Sequence, residues 1–400
     1  MNKKELHIWI ILISMATAFS FAVDDRQMNL YLVGLMAIIP FLLFVQYPYF
    51  HKQEGLIYLL FFAILISGLL HLGSFRISTI IYTLLFLLTF VYYIRLITLS
   101  PLDIDKYIKI LKFILIAYFV VLIIQQFCVF IHSPFILNFI AGTTETFKLN
   151  SLSPEPSNTA RIIMVSMYSY ITMLELKWDR SYNLIKDGKK DYIWLIFLYP
   201  MLTMGSGFAI VLLLIFLLKF LELKKAIYML VLILIAFIVV LNLNIPAVDR
   251  VMRFGEAFLK LDPHLMMVAD HSASIRVVPT LLYFTMFDAL NINTWLGFGI
   301  DYSANLIPTL MSGIPEGEFR GALFPSFFID SGLICVIILF AMINKFCLKK
   351  FLSFDTFFLL LLIFASGLNT QLFWISIMLY TTNNYLNQTN IKDDIEKIAL

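Results

Sequence analysis

Twelve apolar runs, most of them close to twenty residues long, follow one another along the 400-residue chain. They fall at about 6–23, 28–47, 55–72, 76–97, 107–131, 159–176, 192–203, 205–222, 226–244, 323–344, 354–368 and 371–387. A helix crossing the hydrocarbon core of a bilayer needs about 20 such residues. A water-soluble fold has no place for them: the chain is 61% hydrophobic and 14% charged, where a soluble domain carries roughly 25% charge. The sequence therefore predicts an all-α polytopic membrane protein of about twelve transmembrane helices, forming one membrane domain over residues 1–400. The first run is read as an uncleaved helix. The seventh is short, and Met204-Gly205-Ser206-Gly207 parts it from the eighth, which predicts a broken helix pair turning inside the protein, where irregular backbone can be satisfied.

Charge gives the orientation. With the N-terminus inside, 20 of the 29 basic residues fall on the cytoplasmic side and nine on the outer side, as the positive-inside rule requires. Both termini are then cytoplasmic. The inside set holds 18 Lys and two Arg, whereas the outer set holds seven Arg and two Lys. Orientation alone needs no such bias. Arginine grips phosphate or carboxylate oxygens with a planar fork and keeps its charge when partly desolvated, so the outer face suggests an anionic ligand; the competing reading is a set of ion pairs with outer acids. The net charge of +3 gives no reason to expect nucleic acid.

Two outer loops are long enough for chemistry. The first, 132–158, ends in Ser153-Pro154-Glu155-Pro156-Ser157-Asn158, where two prolines extend the backbone around Glu155. Ser157 or Asn158 is expected to cap the next helix, leaving Arg161 in its first turns. The second loop, 245–322, begins with an expected amphipathic helix bearing Val251, Phe254, Phe258 and Leu261 on one face and Arg250, Arg253, Glu256 and Lys260 on the other. His264, Asp270, His271 and Arg276 follow, then an apolar segment broken at Pro279 that reads as re-entrant or interfacial. The glycines of Trp295-Leu296-Gly297-Phe298-Gly299 allow close backbone approach. After Arg320, Asp330 enters the tenth span, where a carboxylate is costly enough to demand a partner or a function.

Weaker signals are Asp103-Ile104-Asp105, a metal-binding-like pattern in a short cytoplasmic loop, and Asp24-Asp25 in the first outer loop. Cys128, Cys335 and Cys347 read as packing residues. No phosphate-binding glycine loop, nucleophile elbow or zinc-protease pattern occurs.

Several of these segments resemble the Wzy-type O-antigen polymerases and, more distantly, the O-antigen ligases. The likeness lies in Ser153 to Ser157, Thr203 to Phe208, Ser274 and Arg276 leading to Leu296-Gly297-Phe298-Gly299, and Phe324 to Leu333, spread over roughly 150–345. It implies a membrane glycosyltransferase architecture (GT-C-like) in the bacterial inner membrane. The implied reaction moves a growing glycan onto an incoming repeat unit carried on undecaprenyl diphosphate, at the periplasmic face. No nucleotide, metal or other cofactor is implied; a polysaccharide chain-length regulator is an implied partner. A diphosphate leaving group needs positive charge where negative charge develops, and Arg276, then Arg161, with Arg250, Arg253 and Arg320 behind them, are the candidates. His271 has the unperturbed pKa best suited to a general base, with Glu155 and Asp270 as alternatives. A ligase acting on lipid A-core, another polyprenyl-phosphate-sugar transferase and a flippase or transporter are the competing readings. The last should gather charge at the bilayer midplane and show repeated halves, which this chain does not.

Overall fold

Backbone groups in hydrocarbon must be satisfied within their own segment, and nearly every apolar run accordingly forms a helix. The computed structural model describes residues 3–18, 21–23, 26–74, 76–100, 102–133, 149–220, 246–311, 322–364 and 366–399. In chain order the helices are α1 (Lys3–Ala16), α2 (Leu30–Gln46), α3 (Gly55–Leu70), α4 (Ile77–Leu99), α5 (Ile104–Phe130), α6 (Pro156–Trp178), α7 (Ile193–Thr203) and α8 (Gly207–Leu217). There follow α9 (Pro246–Leu259), α10 (Pro263–Ala269), α11 (His271–Met286), α12 (Ile292–Leu296), α13 (Tyr302–Leu310), α14 (Phe328–Cys347), α15 (Phe354–Ile363) and α16 (Gln371–Ala399).

Eleven of the twelve apolar runs thus coincide with helix; the ninth, 226–244, lies outside the described residues. Four helical segments among the described residues are long and apolar enough to cross a membrane: Lys52–Leu70, Ile77–Leu99, Ile104–Phe130 and Leu323–Cys347. Four more are apolar but shorter. Large apolar side chains such as Phe41, Phe44, Phe62, Leu69 and Phe130 face outward on α2, α3 and α5, the arrangement of a protein solvated by lipid rather than water.

The centre is made by the two helices that the hydropathy pattern marks least clearly. α6 is buried without interruption from Thr159 to Ile171, and α16 from Leu372 to Asn384. A helix buried all round has no polar face to show, yet these carry Ser166, Ser169, Thr381, Thr382 and Asn383, all buried. Small polar residues let helices approach closely and bond across the contact. Asn383 Nδ2 donates to Ser169 Oγ at 3.0 Å, and the Tyr93 and Thr382 hydroxyls lie 2.6 Å apart. Trp374 packs against Phe86 and Phe90, and Tyr168 stacks on Tyr380 with ring centroids 5.3 Å apart.

Ion pairs and hydrogen bonds sort the bundle into two ends. At one end Lys4 Nζ donates to the Leu99 carbonyl at 3.1 Å, Lys106 pairs with Glu5 at 2.7 Å and Lys345 Nζ donates to the Gln53 carbonyl at 2.6 Å. Arg95 is buried there against Glu54 at 2.6 Å and also donates to the carbonyls of Tyr47 and Tyr49, the kind of additional hydrogen bonding that a desolvated ion pair needs. Tyr385 of α16 donates to the Thr98 carbonyl at 3.5 Å, so the start of α1 and the second half of α16 share this end. The opposite end collects residues 149–161, the connector between α15 and α16, and helices α9–α13 with the start of α14.

The structure departs from the expectations in several places. The first apolar run is helical only to Ala16; Phe21–Val23 and Arg26–Met28 instead pair as a short antiparallel hairpin, so the all-α class carries one small β element. Asp24 and Asp25 lie outside the described residues. Residues 246–310, where an amphipathic helix and a re-entrant or interfacial one were expected, hold five helices, and α11 continues through Pro279. The amphipathic helix is present as α9, but it turns Phe254 and Ala257 toward α10 and α11 while Phe258 stays exposed, and Leu261 lies past its end. The broken pair α7 and α8 is as expected: Gly205 takes φ +73° at the break, and Trp194 near the start of α7 meets Phe216 at the end of α8 and Phe220 just past it. All three cysteines are free and buried.

Candidate functional site

The Glu155 segment is held by a weave of polar bonds. Gln125 of α5 donates to Asn150 Oδ1 at 3.2 Å and accepts from the Ser151 amide at 2.9 Å, while Ser151 Oγ donates to the Tyr118 carbonyl at 2.7 Å. The Ser153 and Thr159 hydroxyls are 2.6 Å apart, and the Ala18 amide donates to the Leu152 carbonyl at 2.8 Å. These bonds allow Asn150, Ser151 and Ser153 to be fully buried although the segment has no regular structure.

Helix α6 begins at Pro156, and its cap position is Glu155 in an extended conformation without a side-chain cap bond. The expected cap by Ser157 or Asn158 is therefore corrected: proline already fits the first helical position, where its missing N–H costs nothing, and both residues lie inside the helix. Ser157 Oγ donates to Glu155 Oε2 at 3.1 Å, and Asn158 Oδ1 accepts from Arg161 Nη2 at 3.3 Å. Arg161 itself is 3% exposed. Its Nη1 donates to Ser366 Oγ at 2.7 Å, 205 residues away, and its guanidinium sits 5.5 Å from the ring centroid of Phe208. The buried guanidinium thus joins α6, the start of α8 and the α15–α16 connector.

A second knot forms where the Gly297 segment meets the start of α14. The Phe298 amide donates to the Ile329 carbonyl at 2.9 Å and the Gly299 amide to the Asp330 carbonyl at 3.1 Å, which also accepts from Ser67 Oγ at 3.0 Å. Both Gly297 (φ +89°) and Gly332 (φ +78°) lie in the left-handed region, and a Cβ on either would stand 2.3 Å from backbone of the other segment. The predicted close approach is here. Asp330, expected to need a partner, has one: Ser303 donates to it through its amide at 2.7 Å and its hydroxyl at 3.0 Å. Nearby Asp301 accepts from Thr79 Oγ1 at 2.7 Å and faces Arg76 at 3.7 Å, an instance of the ion-pair reading for an arginine of the predicted outer set.

The two knots meet at the connector. Phe364 stacks on Phe324 at 5.9 Å, Phe324 and Phe328 both pack against Tyr283 of α11, and two residues on from Phe364, Ser366 holds Arg161. Segments spread over 150–366 therefore share one end of the bundle.

The remaining candidates divide as follows. Asp270 caps α11, accepting from the Ala273 amide at 2.9 Å. His271 and Arg276 lie in the first two turns of that helix, and Arg250 lies on α9; only their backbone positions are described. Arg253 is exposed on α9, and His264 is exposed in α10. Arg320 lies outside the described residues. Asp103 caps α5 through the Lys106 amide and Asp105 pairs with Lys177 at 2.5 Å, so this pattern has structural work at the other end of the bundle. No group of three or more metal-ligating side chains occurs among the described residues. A small cavity of about 80 Å³ lies between α11, α12 and α13, lined by Tyr283, Asp288, Asn291 and Tyr302 among others, well below the usual size of a ligand site. A larger cavity, of about 710 Å³, opens at the opposite, lysine-rich end.

Ser366 is the residue that sequence reading missed. Its only signal is a Ser-Gly pair between two apolar runs, and nothing in the sequence links it to Arg161. Compared with known protein families, curated proteins and solved structures, the chain matches none.

Proposed function

We propose that this chain is a membrane glycosyltransferase that polymerises oligosaccharide repeat units carried on undecaprenyl diphosphate, working at the outer face of a bacterial inner membrane with both termini in the cytoplasm. The observation that supports this most is the convergence described above: four sequence segments that resemble the O-antigen polymerases, far apart in the chain, meet at the end of the bundle away from the lysines. Nothing in the resemblance required Arg161, Phe208, Phe324 and the 297/332 contact to share that end.

In this reading, a hydroxyl on the terminal sugar of the incoming unit attacks the anomeric carbon of the growing glycan. The new glycosidic C–O bond forms as the bond to the diphosphate breaks, and undecaprenyl diphosphate leaves with the electron pair. Arg276, supported by Arg250, Arg253 and Arg320, meets the developing charge. His271 takes the proton from the attacking hydroxyl, with Glu155 as its alternate; Asp270 is the weaker choice because its carboxylate already caps α11. Arg161 is a positioning residue, since its guanidinium is committed to Ser366, Asn158 and Phe208.

The test is deletion of the gene, with surface glycan resolved by size on a gel. Loss of the ladder with a single repeat unit retained on the acceptor supports polymerisation. Complete absence of glycan from the acceptor favours a ligase or flippase instead.

A further inference from the structure

The proposed reaction makes no use of the large cavity at the lysine-rich end. That cavity, of about 710 Å³, lies between the start of α5, the end of α6 and the 180–192 segment, within the range of small-molecule sites. Five basic and three acidic side chains line it, and the acids are already engaged. Asp105 pairs with Lys177 at 2.5 Å. Asp187 accepts from both terminal Arg180 nitrogens, at 2.7 and 2.9 Å, and from the Asn183 amide at 2.8 Å; the Arg180 hydrogen bonds, then that amide, with the Arg180 and Lys190 charges behind them, hold its carboxyl down at about 2. Asp191 accepts from the Tyr170 hydroxyl at 2.8 Å and the Ile193 amide at 3.1 Å.

Three cations remain. Lys109 and Lys112, one helical turn apart on α5, and Lys190 have no carboxylate partner within ion-pair distance among the described residues. Lys112 Nζ is held 5.6 Å from the ring centroids of both Tyr170 and Tyr192, so its ammonium is fixed by aromatic faces rather than neutralised. A concave wall with one ammonium held between aromatic rings, and two more that have no carboxylate within ion-pair distance among the described residues, is complementary to a phosphate-bearing anion.

We infer that this cavity binds a phosphate-bearing ligand, with Lys109, Lys112 and Lys190 as its contacts. A phospholipid headgroup and a soluble phosphate compound offer the same chemistry, and the experiment separates them. The purified full chain in phosphatidylcholine nanodiscs is titrated with inorganic pyrophosphate by calorimetry. In parallel, protein exchanged into mixed phosphatidylglycerol and phosphatidylcholine vesicles is re-extracted and its retained lipid counted by mass spectrometry. The comparison is with Lys109→Gln/Lys112→Gln, and with Lys190→Gln as an exposed-loop variant that leaves the helix core untouched. Pyrophosphate binding weakened at least ten-fold by the double variant and about three-fold by Lys190→Gln supports a soluble phosphate ligand. No pyrophosphate binding, but retention of phosphatidylglycerol that both variants lower, supports a headgroup. Absence of both, or binding that Lys190→Gln and the double variant leave unchanged, overturns the inference.

Discussion

The contact between Gly297 and Gly332 gives the sharpest structural prediction. In Gly332→Ala the new Cβ would stand 2.3 Å from the Gly297 nitrogen and 2.4 Å from the Trp295 carbonyl oxygen, backbone atoms that cannot swing aside as a side chain does. The residue also holds φ +78° and ψ 170°, a region almost restricted to glycine that costs other residues about 1–3 kcal/mol. Forcing the segments apart adds about 1–3 kcal/mol of overpacking, for roughly 2–6 kcal/mol in all. With an unfolding entropy of about 2.1 cal/mol/K per residue, a chain of this length carries about 0.84 kcal/mol/K, so the midpoint should fall by about 2–7 °C. Gly34→Ala is the matched control: Gly34 is inside α2 with open space around its Cβ position, and alanine there gains up to about 1 kcal/mol of helix propensity. The assay is the fraction of detergent-solubilised protein that stays monodisperse after heating. The two substitutions should move the midpoint in opposite directions. A Gly332→Ala protein as heat-resistant as Gly34→Ala would refute the close packing of the two segments.

Three further outcomes are expected. Arg276→Ala should abolish chain extension while leaving the amount of protein in the membrane unchanged, with poor rescue by Arg276→Lys because a point charge does not reproduce the fork; full extension by the alanine variant removes the diphosphate role. A base at His271 must be neutral to accept a proton, so activity should fall as pH drops through the imidazole range, near 6.5 in an unperturbed residue; His271→Gln should lower the rate and flatten that acidic limb, and an unchanged profile eliminates the residue as the base. Asp187 is held at about 2, chiefly by Arg180. A depressed carboxylate contributes stability above its unfolded pKa, about 3.8–3.9, and loses it as pH falls toward 2; the difference in heat resistance between wild type and Asp187→Asn should therefore be equal at pH 8 and pH 5 and shrink by pH 3.

What the sequence made legible is local. Apolar runs became helices because hydrocarbon leaves the backbone no other choice, and Met204 to Gly207 broke a helix because Gly205 adopts a conformation other residues avoid. The hairpin at 21–28 was hidden because its first strand, Phe-Ala-Val, continues the apolar run of α1 without a change in composition. The central position of α6 and α16 was hidden for the opposite reason: their serines, threonines and asparagine lower the hydropathy, and only packing shows them buried inside the bundle, with Asn383 bonded to Ser169 and Thr382 to Tyr93. Long-range pairs were beyond reach. Arg161 and Ser366, or Gly297 and Gly332, carry no signal of each other until the chain is folded. In sequence the lysines of α5 signal only orientation, and the aromatic setting of Lys112, near the rings of Tyr170 and Tyr192, needs α6 and the 180–192 segment in place.

Chain extension can be followed with the protein's own substrate. The deletion strain should accumulate single repeat units on undecaprenyl diphosphate. These are extracted and added to the purified protein in liposomes, and the glycan is sized by mass spectrometry while released undecaprenyl diphosphate is counted. A polymerase should yield oligomers growing by whole repeat units, with one undecaprenyl diphosphate freed for each linkage formed. Repeat units that remain single, with no carrier released by a protein that is folded and correctly inserted, would rule out polymerisation by this chain.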